Sequence, residues 1–412
     1  MNKLLITAKY VLTGRNLQPL EKGAVVIKGG QIEKIGHAEQ ILAQERDEGC
    51  ETLAFGDATL MPGLIDAHMH TFGLPSDDLG GLFTAREVPR VLRAAGELSE
   101  MLAAGYTAAR CLGSSIGPDL SRAIDSGQIR GPRLIAAGEF ISTSQGTWGG
   151  IPHDQLPAER PCALADGPDE MRQRVNDRIR EGAHFIKLGL SKGQPDDVNK
   201  AWGDDPYGQV LSMSDEEVSA AVDEAHSHGL KVTVHAIGEE AVAQAVRCNV
   251  DMIEHGYAIT EQTRQEIVDR GIPVVTTLSQ IYYHRAAYEE FAYSEADRVS
   301  FDRHWDAMHE GLVAGLEAGM KFVLGTDLIG RPTHPLAAAA KEFELVVAAG
   351  MPVLQALKAG TVLAADLLGI GGETGSLSHG MAADIVVVPD NPLDDISVLQ
   401  KPIHVFKQGA SV

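Results

Sequence analysis

The chain carries two histidines at alternate positions, Asp66-Ala67-His68-Met69-His70, directly after an apolar run. Residues i and i+2 of a strand point the same way, so His68 and His70 would face one centre. Four more short apolar runs each deliver one candidate ligand. These are Lys187 in Phe185-Ile186-Lys187-Leu188, His235 in Val232-Thr233-Val234-His235, His255 in Met252-Ile253-Glu254-His255, and Asp327 in Leu324-Gly325-Thr326-Asp327. Four imidazoles and a carboxylate converging on one point would suit a metal cation that takes nitrogen and oxygen ligands. An isolated His-x-His is weak evidence; five placements near the ends of strand-like runs carry the reading. His37, His184, His226, His228, His309 and His404 lack that placement and are expected to be ordinary.

Lys187 sits inside an apolar run. A buried lysine is costly and tends to become neutral. A neutral amine can capture carbon dioxide as a carbamate, an anionic oxygen ligand able to bridge two cations. Alone, such a lysine would be read as reaching for solvent or pairing with an acid. Beside four histidines and an aspartate, the carbamate is favoured.

The elements that must position these residues alternate. Eight strand-like runs, from TLMPGLIDAH to KFVLGTD, are separated by helical stretches. The clearest helix is SDEEVSAAVDEAHSHG, where Ser214 and Glu217 form a capping box and Gly229 closes the end. A second helical stretch ends at Gly271. This alternation predicts parallel βα units closing as a (β/α)8 TIM barrel over 59–374, with titratable side chains gathered at the C-terminal mouth. A doubly wound open sheet is the competitor, but no GxGxxG follows the first strand. Both chain ends read as β, with Lys28-Gly29-Gly30-Gln31 as a hairpin turn. Residues 1–58 and 375–412 are therefore expected to form one small β-sandwich domain.

The 412 residues include 35 basic and 57 acidic side chains, for a net charge of −22. Nucleic acid and anionic membranes both need a basic face, so neither is an expected partner. Four cysteines with no CxxC spacing point to free thiols in a reducing cytoplasm. The opening apolar run, Leu4-Leu5-Ile6, is too short for a signal peptide, and no stretch approaches a membrane helix.

MPGLIDAHMH, FIKLG, VTVHAIG, MIEHG and LGTD together resemble the metal-ligand motifs of the amidohydrolase superfamily. The nearest branch is the imidazolonepropionase-like and prolidase-like one, and the resemblance covers nearly the whole chain. It implies a binuclear centre. His68, His70 and Asp327 would hold one metal and His235 and His255 the other, bridged by carboxylated Lys187 and a hydroxide. Two Zn2+ ions are the default, with Mn2+ or Co2+ possible. Asp327 would be the catalytic proton shuttle as the hydroxide attacks an amide or peptide-type carbonyl. Asp66 would orient the histidine pair. His153 resembles a substrate-contacting histidine, although Ile151 and Pro152 interrupt the Gly-Gly-His context of relatives.

A small-molecule substrate and a homo-oligomeric assembly are expected. Prolidase-like relatives often carry a carboxylate-binding tyrosine after the fifth strand, where this chain has Ile237. That weakens a dipeptidase or carboxypeptidase reading; Lys192, Arg285 or Arg331 could hold a carboxylate instead. Phe72, Phe83, Trp148, Trp202, Tyr207, Tyr282 and Tyr283 are expected in mouth loops, suggesting an aromatic or N-acyl amino acid substrate. A mononuclear deaminase is disfavoured by Lys187 and by Gly238 where such relatives place Glu. A catalytically inactive binding barrel is disfavoured by the complete ligand set.

Overall fold

Strands from both ends of the chain share one sheet. Lys3–Thr13 pairs antiparallel with Gln18–Lys28, which turns into Gln31–His37. Gly29 and Gly30 occupy this two-residue turn with φ of 60° and 82°. Positive φ at both central positions matches the strand twist, and glycine adopts it without a Cβ clash. Lys3–Thr13 also runs parallel to Glu51–Ala54 and Thr59–Pro62. Thr59–Pro62 then pairs antiparallel with Ile385–Val388, which continues to His404–Lys407 and Ala410–Ser411. Thr59–Pro62 thus joins strands of both chain ends in one continuous eight-stranded sheet. Ile6, Val11, Val25, Leu60, Ile385, Val387 and Phe406 form its core.

The computed structural model describes residues 3–45, 50–147, 163–193 and 203–412, apart from the Phe83 side chain. Between the end strands, all eight expected runs contribute parallel strands. Leu64–Met69, Tyr106–Cys111 and Arg133–Ala136 make a three-stranded sheet. Ile141–Ser142, Ile186–Gly189, Val232–Ala236, Met252–His255, Val274–Thr276 and Phe322–Leu324 follow one another in a second sheet, with Ala163–Leu164 on its edge. The third run is therefore divided between the two sheets, because Ala137–Phe140 breaks its extended pairing.

Backbone hydrogen bonds cross both seams. Asp327 N donates to His68 O at 2.7 Å and His70 N to Leu328 O at 2.9 Å on one side. His184 N donates to Ala136 O at 2.9 Å on the other. The architecture is mixed α/β, with strands such as Ile186–Gly189 buried along their whole length, as parallel strands covered on both faces must be.

Helices begin and end where local chemistry dictates. Ser214 and Glu217 form the capping box of Asp215–Ser227, and Gly271 closes Glu261–Arg270 in the left-handed conformation. Among the described residues, no helix is long and apolar enough to cross a membrane.

Candidate metal centre

At the C-terminal ends of the parallel strands, His68 and His70 meet Asp327. His68 Nε2 lies 3.2 Å and His70 Nε2 3.0 Å from Asp327 Oδ1. These three residues are placed to share one cation, their ligand atoms all lying within 4.8 Å of one another. The His255 ring centroid is 5.0 Å from that of His68 and 4.8 Å from that of His235. Lys187 is on the strand beside His235, with Gly189 in register with His235. Its charge bears on His70, His235 and His255. Trp148 and His153 lie outside the described residues, as does Trp202.

Local backbone geometry assembles the cluster. Glu254 and His255 are consecutive, so a regular strand would send them to opposite faces. His255 instead has φ of 72°, and both residues approach His68. Asp327 likewise has φ of 57°. Gly325 permits the close approach of its segment: a Cβ there would lie 2.5 Å from His68 Cβ.

The donor set fits a cation. Burial lowers the Lys187 amine to about 8, despite the opposing pull of Glu254 and Asp327. Its Nζ is buried without a hydrogen-bond partner, as are His235 Nε2 and His70 Nδ1. Burial, reinforced by Lys187, holds His235 near 3, and burial also keeps His255 far below its ordinary range. These rings are therefore neutral and offer lone pairs. Burial alone would raise the Asp327 carboxyl, but His68 and His70 hold it well below the usual range, so it is an anion. Orphaned polar atoms gathered around an anion are costly unless a ligand satisfies them.

Further residues surround this cluster. Asp66 accepts from His68 N at 3.0 Å, Thr326 N at 3.1 Å and Thr326 Oγ1 at 2.6 Å. It thus clamps the backbones that carry His68 and Asp327 and does not touch the imidazole rings through these bonds. Glu254, Arg110 and Thr233 escaped sequence reasoning. Glu254 was visible only as a polar residue inside MIEHG, and Arg110 as a charge inside the apolar run GYTAARCLG.

Of the described aromatic residues, Phe72 and Tyr207 lie in loops as expected, but Tyr282 and Tyr283 do not. Tyr282 and Tyr283 lie in the helix Leu278–Ala286, where Tyr282 packs beside Trp305 and Tyr283 donates to Ala338 O at 3.2 Å. Phe72 is buried and stacks on His70 with ring centroids 4.6 Å apart. Tyr207 is an exposed loop residue. Among the candidate carboxylate holders, Arg285 pairs with Asp302 and lies over Trp305, and Arg331 pairs with Glu100.

Strand-end histidines and an aspartate gathered on parallel sheets make a candidate site for a divalent cation. Residues 59–412 match the model of the amidohydrolase family, and the chain belongs to that family. It is accordingly a hydrolase acting on carbon–nitrogen bonds. It is 29% identical over 418 residues to an ochratoxinase of Aspergillus niger, covering 95% of this chain and 83% of that protein. The crystal structure of the A. niger ochratoxinase superposes with a TM-score of 0.85 at 27% identity, covering all of this chain and 95% of the other. A structure of a Xaa-Pro dipeptidase with bound methionine in its active site superposes with a TM-score of 0.86 at 28% identity, both chains being covered completely.

Proposed function

We propose that the two parallel sheets form one (β/α)8 barrel and that its mouth hydrolyses an amide or peptide-type C–N bond. The observation carrying this reading is the pair of imidazole Nε2 atoms at 3.2 and 3.0 Å from one Asp327 oxygen, beside a buried Lys187 amine with no partner. His68, His70 and Asp327 would hold one divalent cation and His235 and His255 a second, with Lys187 joining them as its carbamate; zinc is the default metal. Such cations, when bound, lower the pKa of a water enough to supply hydroxide at neutral pH. Asp327, already ionised, accepts the proton of the attacking water at its carboxylate and passes it to the leaving nitrogen. Asp66 holds the His68 and Thr326 backbones in register during this transfer.

The substrate we favour carries an apolar or aromatic group beside the scissile amide, as an N-acyl amino acid does. Ile237 and Tyr257 follow the strands of His235 and His255 and pack with Ile281, Phe301 and Met308, so that flank of the mouth is apolar. The ochratoxinase and dipeptidase relatives are compatible with this choice. The test is a panel of aryl and alkyl N-acyl amino acids and dipeptides, assayed on zinc-loaded protein. Hydrolysis should require metal and favour the aryl members. Full metal loading with no amide cleaved across the panel would sink the reading.

A further inference from the structure

Directly beneath the candidate centre lies a buried charged pair that contributes no cation ligand in the scheme above. Glu254 Oε2 is 2.8 Å from His68 Nδ1. Glu254 Oε1 accepts from the Arg110 guanidinium and from Thr233 Oγ1. Glu254, Arg110 and Thr233 are all buried. An ionised carboxylate only accepts hydrogen bonds, so His68 must carry its proton on Nδ1. Nε2 faces Asp327 Oδ1 at 3.2 Å, and a cation held between them would take the Nε2 lone pair of the neutral, Nδ1-protonated ring.

Arg110 fixes this arrangement from two sides. Its Nε donates to Ala67 O at 2.6 Å, the carbonyl just before His68. Its Nη1 lies 3.1 Å from Met252 Sδ, on the strand that ends in His255. With three protein donors turned toward it, Glu254 is oriented as a partner of His68.

We propose that Glu254, braced by Arg110 and Thr233, is a positioning residue that selects the Nδ1–H tautomer of His68 and aims Nε2 at the cation shared with His70 and Asp327. This inference rests on the cation-binding reading above. A carboxylate behind a ligating imidazole fixes ring orientation and raises its basicity, and losing one typically costs about 10- to 100-fold in metal affinity.

The test separates positioning from mere support of the fold. The double variant Arg110→Met/Glu254→Leu removes both charges together, since replacing a buried pair by apolar side chains often preserves stability. Glu254→Gln retains an acceptor oxygen for His68. Zn2+ and Co2+ affinities are measured by competition with a chromophoric chelator, and unfolding is followed on the metal-free proteins. The His68 tautomer is read by 15N NMR on metal-free protein at alkaline pH, assigned with His68→Asn.

We expect Nδ1–H in the wild type and in Glu254→Gln. The double variant should fold but bind one cation about 10- to 100-fold more weakly, with Glu254→Gln recovering most of that loss. A folded double variant with wild-type cation affinity would overturn the proposal. So would an Nε2–H tautomer in the wild type, a result that stands even if the double variant fails to fold. A wild type showing Nδ1–H but binding no divalent cation would overturn the underlying cation reading instead, because the tautomer is read without metal.

Discussion

His255 and Asp327, each beside His68, both hold left-handed backbone conformations, φ 72° and 57°, although neither is glycine. Such conformations cost about 1–3 kcal/mol in a non-glycine residue and persist only where the surroundings impose them. Aspartate tolerates this region better than most residues, and asparagine is similar. Asp327→Asn should therefore keep the fold. It should lower turnover by about 10²- to 10⁴-fold, since an amide cannot accept the water's proton. Metal content and kcat measured on the same preparation check this. Near wild-type turnover with metal retained would remove the proton-shuttle role.

Gly325→Ala tests the close approach of the Asp327 segment to the histidine pair. The added Cβ would lie 2.5 Å from His68 Cβ and 2.8 Å from His68 N. Backbone at that distance cannot rotate away, so the seam must open. The variant should lose about 1–3 kcal/mol of stability from overpacking. It should also bind zinc more weakly than Asp66→Asn, which adds no atom to the seam. Urea unfolding and zinc titration are the readouts, and unchanged values for both would mean the seam has slack.

Lys187→Ala should fold, because it removes a buried amine that has no partner. It should lose most activity if the lysine works as a carbamate. Short carboxylic acids should restore part of the activity by returning a pair of anionic oxygens. A 13C signal from labelled bicarbonate should appear on the wild type and vanish in the variant. Absence of that signal in fully metal-loaded wild type would eliminate the carbamate.

Stability should fall as the solution becomes acidic. His304 takes the Tyr257 hydroxyl at Nδ1 (2.7 Å) and donates from Nε2 to Gly203 O (3.1 Å). Burial lowers both His304 and His334 to about 4. The unfolded imidazoles, near pKa ~6.5, bind protons before the folded ones do. Their stabilising contribution is therefore fully present above about pH 6.5 and is lost as pH falls through about 4. Urea midpoints should decline from pH 7.5 to pH 4.5. His304→Gln should show a shallower decline, because it removes one of the titrating groups; an identical slope would place the acid sensitivity elsewhere.

Local chemistry was legible in the chain itself. Alternation put His68 and His70 on one side, the Ser214–Glu217 box started a helix, and the paired glycines at 29 and 30 made a hairpin. Each depends on neighbours within a few residues. The apolar runs likewise announced parallel strands, since burial on both faces leaves few polar positions. Tertiary structure alone decided which distant groups meet. Glu254 reaches His68 across 186 positions, and Arg110 reaches Glu254 across 144. Tyr282 and Tyr283 became helical because the segment after Thr277 is capped by the remote carboxylate of Glu342, which accepts from Leu278 N and Ser279 N. A side chain's partner depends on strand order and register, and those arise from packing the whole core, which no short window of residues contains.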